Sequence, residues 1–297
     1  MFPLAGRRKS ILWQSGFDLD FSDVEQQIRI DFRDADYLAA AVGGDACRFA
    51  SAAFVTLSKI NEEIAQRDSI AWSLIKLYYA AFYSGHAPLR LLGHSCSYLG
   101  AMHVARLRQI ASASGNTPGF QMNDGLYYGV LTPGQTGMGF VLKSGATGGT
   151  HEIFWRVFIE YIRSITEQVL LGHLVPQDAK AVFRHLAAFE QILAGSRSSN
   201  WLSTFRNDVQ YCHANGVWPP LKISKKERER LPRLAVQWSR DPMDVEVAFV
   251  TTGQLDAFIV ACAFIVALCR AILSRVAERS SVGGKSFARH PLAIAEG

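Results

Sequence analysis

Helical periodicity dominates the chain. Over residues 31–65 apolar side chains recur at helical spacing, with Tyr37, Leu38, Val42, Phe49, Phe54, Leu57 and Ile60 as candidate core positions and an interruption expected at Gly43-Gly44. Asp68 or Ser69 can cap a second helix that runs through Trp72, Ile75, Tyr79, Phe82 and Tyr83 toward Gly93. The pair predicts an antiparallel hairpin. Across residues 112–149 the periodicity stops, and strand-like runs at 126–131 and 139–143 flank a Gly/Thr-rich turn. That pattern predicts a small β-hairpin insertion. Helix resumes at Thr150 with Ile153, Phe154, Val157, Phe158, Tyr161, Ile162 and Ile165 inward, and Pro176 opens another helix through Phe183, Leu186, Phe189 and Leu193, stopped by Gly195. An apolar helix at 255–276 closes the core. The expected organisation is an N-terminal arm at 1–30, a mostly α helical domain at 31–280 carrying the insertion, and a flexible tail at 281–297.

Bulk composition narrows the class only a little. The 297 residues are 49% apolar, with a net charge of +5 and a pI near 9.0. A core is assured, and a nucleic-acid partner is permitted but not demanded. Five cysteines with no CxxC pair read as reduced, packed thiols. The N-terminal stretch lacks an apolar segment of signal-peptide length, which points to a cytoplasmic protein. Residues 257–269 form an unbroken apolar run of thirteen. A bilayer crossing needs about twenty, so the run reads as a buried core helix and no membrane is expected.

Candidate chemistry collects at residues 201–220. A helix from Ser203 would point Phe205, Val209 and Cys212 inward and leave Arg206, Gln210 and His213 on a neighbouring face, ending at Asn215-Gly216. Seven residues at about 100° each return to within about 20° of the start, so Arg206 and His213 would project together. Such a pair suits metal-free RNA cleavage: a fixed guanidinium holds the phosphate while an imidazole moves the proton of the 2'-hydroxyl or of the leaving oxygen. One chain supplies one such His. The scheme therefore calls for a homodimer that completes the acid–base pair.

Together with residues 72–93 this stretch resembles the HEPN (higher eukaryotes and prokaryotes nucleotide-binding) superfamily of all-helical domains, many of which are RNases of toxin–antitoxin, abortive-infection and CRISPR-linked systems. The family motif is an Arg, usually followed by a polar residue, and a His after four to six intervening positions; Arg206, Asn207 and His213 match it at the long end. Tyr78, Tyr79, Ala80, Phe82, Leu91, Leu92 and Gly93 look like the family's aromatic helix. The resemblance implies a HEPN-like helical bundle and a metal-independent endoribonuclease without a cofactor. Arg206 would hold the phosphate, His213 would transfer the proton and Asn207 would orient them. It also implies an antitoxin or defence-system partner protein. A catalytically inactive relative that dimerises and binds a partner or nucleotide is the alternative.

Weaker candidates surround this site. The run from Lys222 to Arg233 sets six basic residues against two acidic ones, and Lys222, Lys225, Lys226 and Arg228 can track phosphates or simply form a solvated face. His86, His94, His103 and Arg90 can line a groove or serve as core and surface groups. Gly145-Ala-Thr-Gly-Gly-Thr-His151 lacks the Gly-Lys-Ser/Thr ending of a phosphate loop and reads as a plain loop. Zinc pairs, EF-hand loops and dinucleotide-binding glycine sets are missing from the sequence.

Overall fold

In residues 17–32 apolar and acidic side chains alternate, and the structure turns that alternation into a strand pair. The computed structural model describes residues 16–65, 70–133, 138–144, 149–172, 176–194, 200–247 and 253–296. Residues 1–15 of the expected arm, the Asp68/Ser69 cap, the Gly195 stop and residues 145–148 of the glycine-rich segment lie outside them. The elements in order are β1 (Phe17–Ser22), β2 (Gln27–Phe32), α1 (Ala35–Leu57), α2 (Ile60–Ala65), α3 (Ile70–Leu91), β3 (His94–Leu99), α4 (Ala101–Ala113), β4 (Gly125–Pro133), β5 (Met138–Ser144), α5 (Thr150–Leu171), α6 (Pro176–Ala194), α7 (Trp201–Tyr211), α8 (Lys225–Ala235), α9 (Gln254–Arg279) and α10 (Arg289–Glu296). The chain is mostly helical, as its periodicity predicts. It divides into two compact units, residues 1–48 with 86–153 and residues 49–85 with 154–297.

The first unit is built on a five-stranded antiparallel sheet in the order β1-β2-β5-β4-β3. The expected hairpin at 126–143 exists, but as the centre of this sheet and not as a separate insertion. Residues 17–30 likewise belong to the sheet and not to an arm. Register explains the core: Leu19 pairs Ile30, Phe21 pairs Ile28, and Ile28 in turn faces Leu142. These residues join Phe32, Phe140, Tyr127 and Leu99 on one face, closed by Leu38, Val104, Leu107 and Met122. Gly129 is needed there. A Cβ would sit 2.5 Å from Ser95 Oγ and 2.6 Å from Leu142 Cδ2, closer than packed atoms approach.

Charge is buried in the same unit. Arg90 and Asp45 are both almost fully enclosed and meet at 2.5 Å (Nε to Oδ2), while Arg90 Nη1 reaches His86 Nδ1 at 3.1 Å and its backbone oxygen at 3.3 Å. Arg48 closes on the other Asp45 oxygen. An ion pair this deep survives because its remaining donors and acceptors are engaged. Asp45 meets Arg90 here, and in the second unit Phe49 packs on Tyr83 with ring centroids 6.2 Å apart. The interruption expected at Gly43-Gly44 does not occur; α1 continues to Leu57.

The second unit is helical and has α9 at its centre. Every residue from Phe258 to Ala267 is buried, the pattern of a helix surrounded on all sides. Residues 35–64 and α9 are long and apolar enough to cross a membrane, and 67% of the most apolar window of α9 is buried within the protein. Phe264 packs on Phe189 at 4.3 Å and Phe258 on Phe205 at 4.3 Å, which fixes α6 and α7 against it. Asp256, buried in its first turn, pairs with Arg230 at 2.6 Å. The expected flexible tail instead carries α10, with Ala288 and Leu292 buried.

Candidate functional site

The motif residues lie in the second unit, on and just beyond α7. Leu202, Phe205 and Val209 recur at helical spacing and are buried, so this face of α7 joins the core. Arg206 goes in with them. It is only 7% exposed, and its Cζ stands 5.0 Å from the centroid of the Tyr78 ring and 5.6 Å from that of Tyr79. Nη1 donates to Gln210 Oε1 at 3.2 Å, a one-turn pairing, and Nε has no hydrogen-bond partner among the described residues. A guanidinium is weakly hydrated and flat, which is why it tolerates a place over aromatic faces where an ammonium would not.

Tyr78 organises the site around Arg206. Its ring is fully buried between Trp155 and Phe258, and its hydroxyl accepts from Trp155 Nε1 at 3.0 Å. Burial pushes its pKa up, against smaller opposing effects from the Trp155 and Ser203 hydrogen bonds and the Arg206 charge. The phenol is therefore a neutral hydrogen-bonding group inside the core. Trp155, Ser203 and Tyr78 were not singled out for this role by sequence. The signal available was an adjacent Tyr-Tyr pair on a helix too apolar to leave its polar tips unpartnered.

His213 is placed elsewhere. The helix stops at Tyr211, and His213 takes a left-handed backbone (φ 49°, ψ 32°) at the start of a single tight turn, Ala214–Gly216. In a continuing helix the Val209 carbonyl would accept from the His213 amide; here it accepts from Trp218 Nε1 at 2.6 Å. The stop therefore comes earlier than the one read from Asn215-Gly216. Cys212, expected inward, is exposed. His213 is exposed too, and its ring lies on Trp218 with centroids 4.9 Å apart. Trp218 also meets the edge of Trp72 at 5.6 Å.

The one-face geometry expected of Arg206 and His213 is thus not realised within the protomer. Arg206 is enclosed by tyrosines while His213 lies on the surface past the helix end. Asn207 is exposed next to a buried Arg206, and the residue that holds the guanidinium is Gln210. Of the basic candidates, Lys222, Lys225 and Lys226 are exposed and Arg228 is half-buried. α8 begins at Lys225 through a reciprocal cap: Ser224 Oγ accepts from Glu227 N at 3.2 Å, and Glu227 Oε2 accepts from Ser224 N at 2.7 Å. Hydrogen bonding to the carboxyl from the Ser224 hydroxyl first, and then from the Ser224 backbone, holds Glu227 below its ordinary value. His86 and Arg90 belong to the buried network of the first unit, and His103 is buried as well. No family model, curated protein or solved structure matches this chain.

Proposed function

We propose that the chain is a non-cleaving, HEPN-like helical module that acts by binding, with Arg206 engaged in packing. The observation that carries this reading is the burial of Arg206 over Tyr78 and Tyr79. A cation that stabilises a phosphorane must touch the non-bridging oxygens of a bound strand. Turning this one outward would give up a desolvated cation–π contact, about 2 kcal/mol, and the Gln210 hydrogen bond, about 1 kcal/mol. Homodimerisation, a partner protein and a cytoplasmic setting belong to the same proposal.

The endoribonuclease is the second reading, and one observation favours it. His213 is solvent-exposed and held in a left-handed conformation that non-glycine residues adopt mainly where function or local structure requires it. The two readings separate in one experiment. Purified wild type, Arg206→Ala and His213→Ala proteins are incubated with total RNA in EDTA, and their association state is measured in parallel. The binding module predicts intact RNA in all three tubes. Cleavage by the wild type that both substitutions abolish would replace it with the nuclease.

A further inference from the structure

The surface around His213 carries more than the motif histidine. Trp72 is 53% exposed, and Trp218 lies half-buried between Trp72 and the exposed His213 ring. Three rings from two separate parts of the chain thus form one ledge on the second unit. Large aromatics are normally placed inside, and a cluster of them at the surface marks a contact site. The ledge is also held in place before any partner arrives. Trp218 is fixed by its Nε1 bond to Val209 O, and the loop beneath His213 is fixed by Lys222 N donating to Gly216 O at 2.9 Å. Gly216 permits that closure: at φ 64° it sits so close that a Cβ would approach Lys222 Cβ to 2.8 Å.

Cations adjoin the rings. The Gly216 bond brings the Lys222 backbone against the loop, and Lys225 and Lys226 follow three and four residues on, within about 14 Å along the chain. Lys222 and Lys226 have no ion-pair partner among the described residues, and Lys225 has only a loose contact with Glu229 at 3.9 Å. Unneutralised ammonium groups beside flat, exposed rings match a polymer that alternates anionic phosphates with flat bases. In a duplex the base faces are hidden in the stack; in a single strand they are available to aromatic side chains.

We infer that Trp72, Trp218 and His213 form a base-stacking ledge which, with Lys222, Lys225 and Lys226, binds single-stranded nucleic acid. The inference rests on the binding-module reading and identifies that module's ligand class and contact residues. His213, resting on Trp218, takes one base, Trp72 takes the next, and the lysines follow the phosphates. Stacking does not distinguish bases by hydrogen-bond pattern, so the site tolerates many sequences.

The test measures anisotropy of labelled 12-nucleotide single-stranded RNA, the same sequence as single-stranded DNA, and its duplex, with the full chain in EDTA. Each RNA sample is afterwards run on a denaturing gel. Wild type binds both single strands more tightly than the duplex. Trp72→Ala, a surface change, weakens them roughly fivefold or more, the lower range of a base–aromatic stack. Trp218→Ala does the same, and its melting temperature is recorded because the residue is half-buried. Lys222→Ala with Lys226→Ala lowers the slope of log affinity against log salt by about 1.4, at about 0.7 per phosphate on a single strand. Equal binding of strand and duplex, or affinities of a folded Trp72→Ala protein within twofold of wild type, overturns the ledge. Cut RNA together with DNA binding that depends on Trp72 leaves the ledge standing and overturns only the non-cleaving reading.

Discussion

The Arg206 guanidinium lies over the ring of Tyr78, Cζ to centroid 5.0 Å, inside the core of the helical unit. That relationship makes Arg206 a stabilising residue, and its replacement should be felt in folding. Arg206→Ala is expected to lower the unfolding free energy by about 2–3 kcal/mol, from the lost cation–π contact and the gap left over two rings. Arg206→Lys should recover only part of this, because an ammonium is more strongly hydrated and lacks the flat fork. Urea unfolding of the three proteins checks both statements.

Tyr78 supplies the second expectation. Tyr78→Phe keeps the ring but removes the acceptor of the Trp155 Nε1 bond, leaving a buried donor unpaired. The cost is about 1–3 kcal/mol. Unfolding of the single variant against wild type measures it, with tryptophan emission reporting the changed surroundings of Trp155.

His86 gives the first unit a pH dependence with a definite sign. Burial first, and then the Arg90 charge, hold its pKa well below the ordinary 6.5, so in the folded chain it is a neutral acceptor for Arg90 Nη1. As pH falls below about 6.5 the unfolded chain binds a proton that the folded one resists, so stability drops toward acid, by up to about 1.4 kcal/mol per pH unit for one proton. His86→Gln keeps an acceptor for Arg90 and removes the titration. Its stability should vary less steeply than wild type between about pH 5 and about pH 6.5, and parallel curves would contradict this.

Gly129 tests the packing of the sheet. Gly129→Ala places a methyl against Ser95 Oγ and Leu142 Cδ2, and should cost about 1–3 kcal/mol of overpacking. Adding Leu142→Ala frees space beside it, so the double variant should lose less than the sum of the two single changes. Thermal unfolding of all four proteins completes the cycle.

The helices were legible where the pattern was complete. Ten consecutive buried positions from Phe258 to Ala267 follow from a run with no polar face, and α5 and α6 from regular apolar stripes. The sheet was legible in its middle, and at its edge only as a brief alternation over residues 17–28 that fits a short strand or a turn. β1 and β2 alternate, yet β2 pairs with β5, more than a hundred residues away, and no local pattern identifies that partner. β3 was not found, because His94–Leu99 places Ser95 and Ser97 where an apolar residue would have advertised a buried strand. At the candidate site the apolar face of α7 was correct through Val209. The helix end was not, because the donor that takes the Val209 carbonyl is the indole of Trp218, nine residues on. The burial of Arg206 likewise depends on Tyr78 and Tyr79, which lie more than a hundred positions earlier in the chain.

The most direct measurement is a double-mutant cycle between Arg206 and Tyr79, using Arg206→Ala, Tyr79→Leu and the double variant in urea unfolding. Two side chains in contact, Arg206 buried and Tyr79 half-buried, should show a coupling of about 1 kcal/mol, since the second change costs less once the first has removed their contact. Additive losses within about 0.3 kcal/mol would mean that the guanidinium does not rest on the tyrosines, and Arg206 would again be available as a ligand for phosphate.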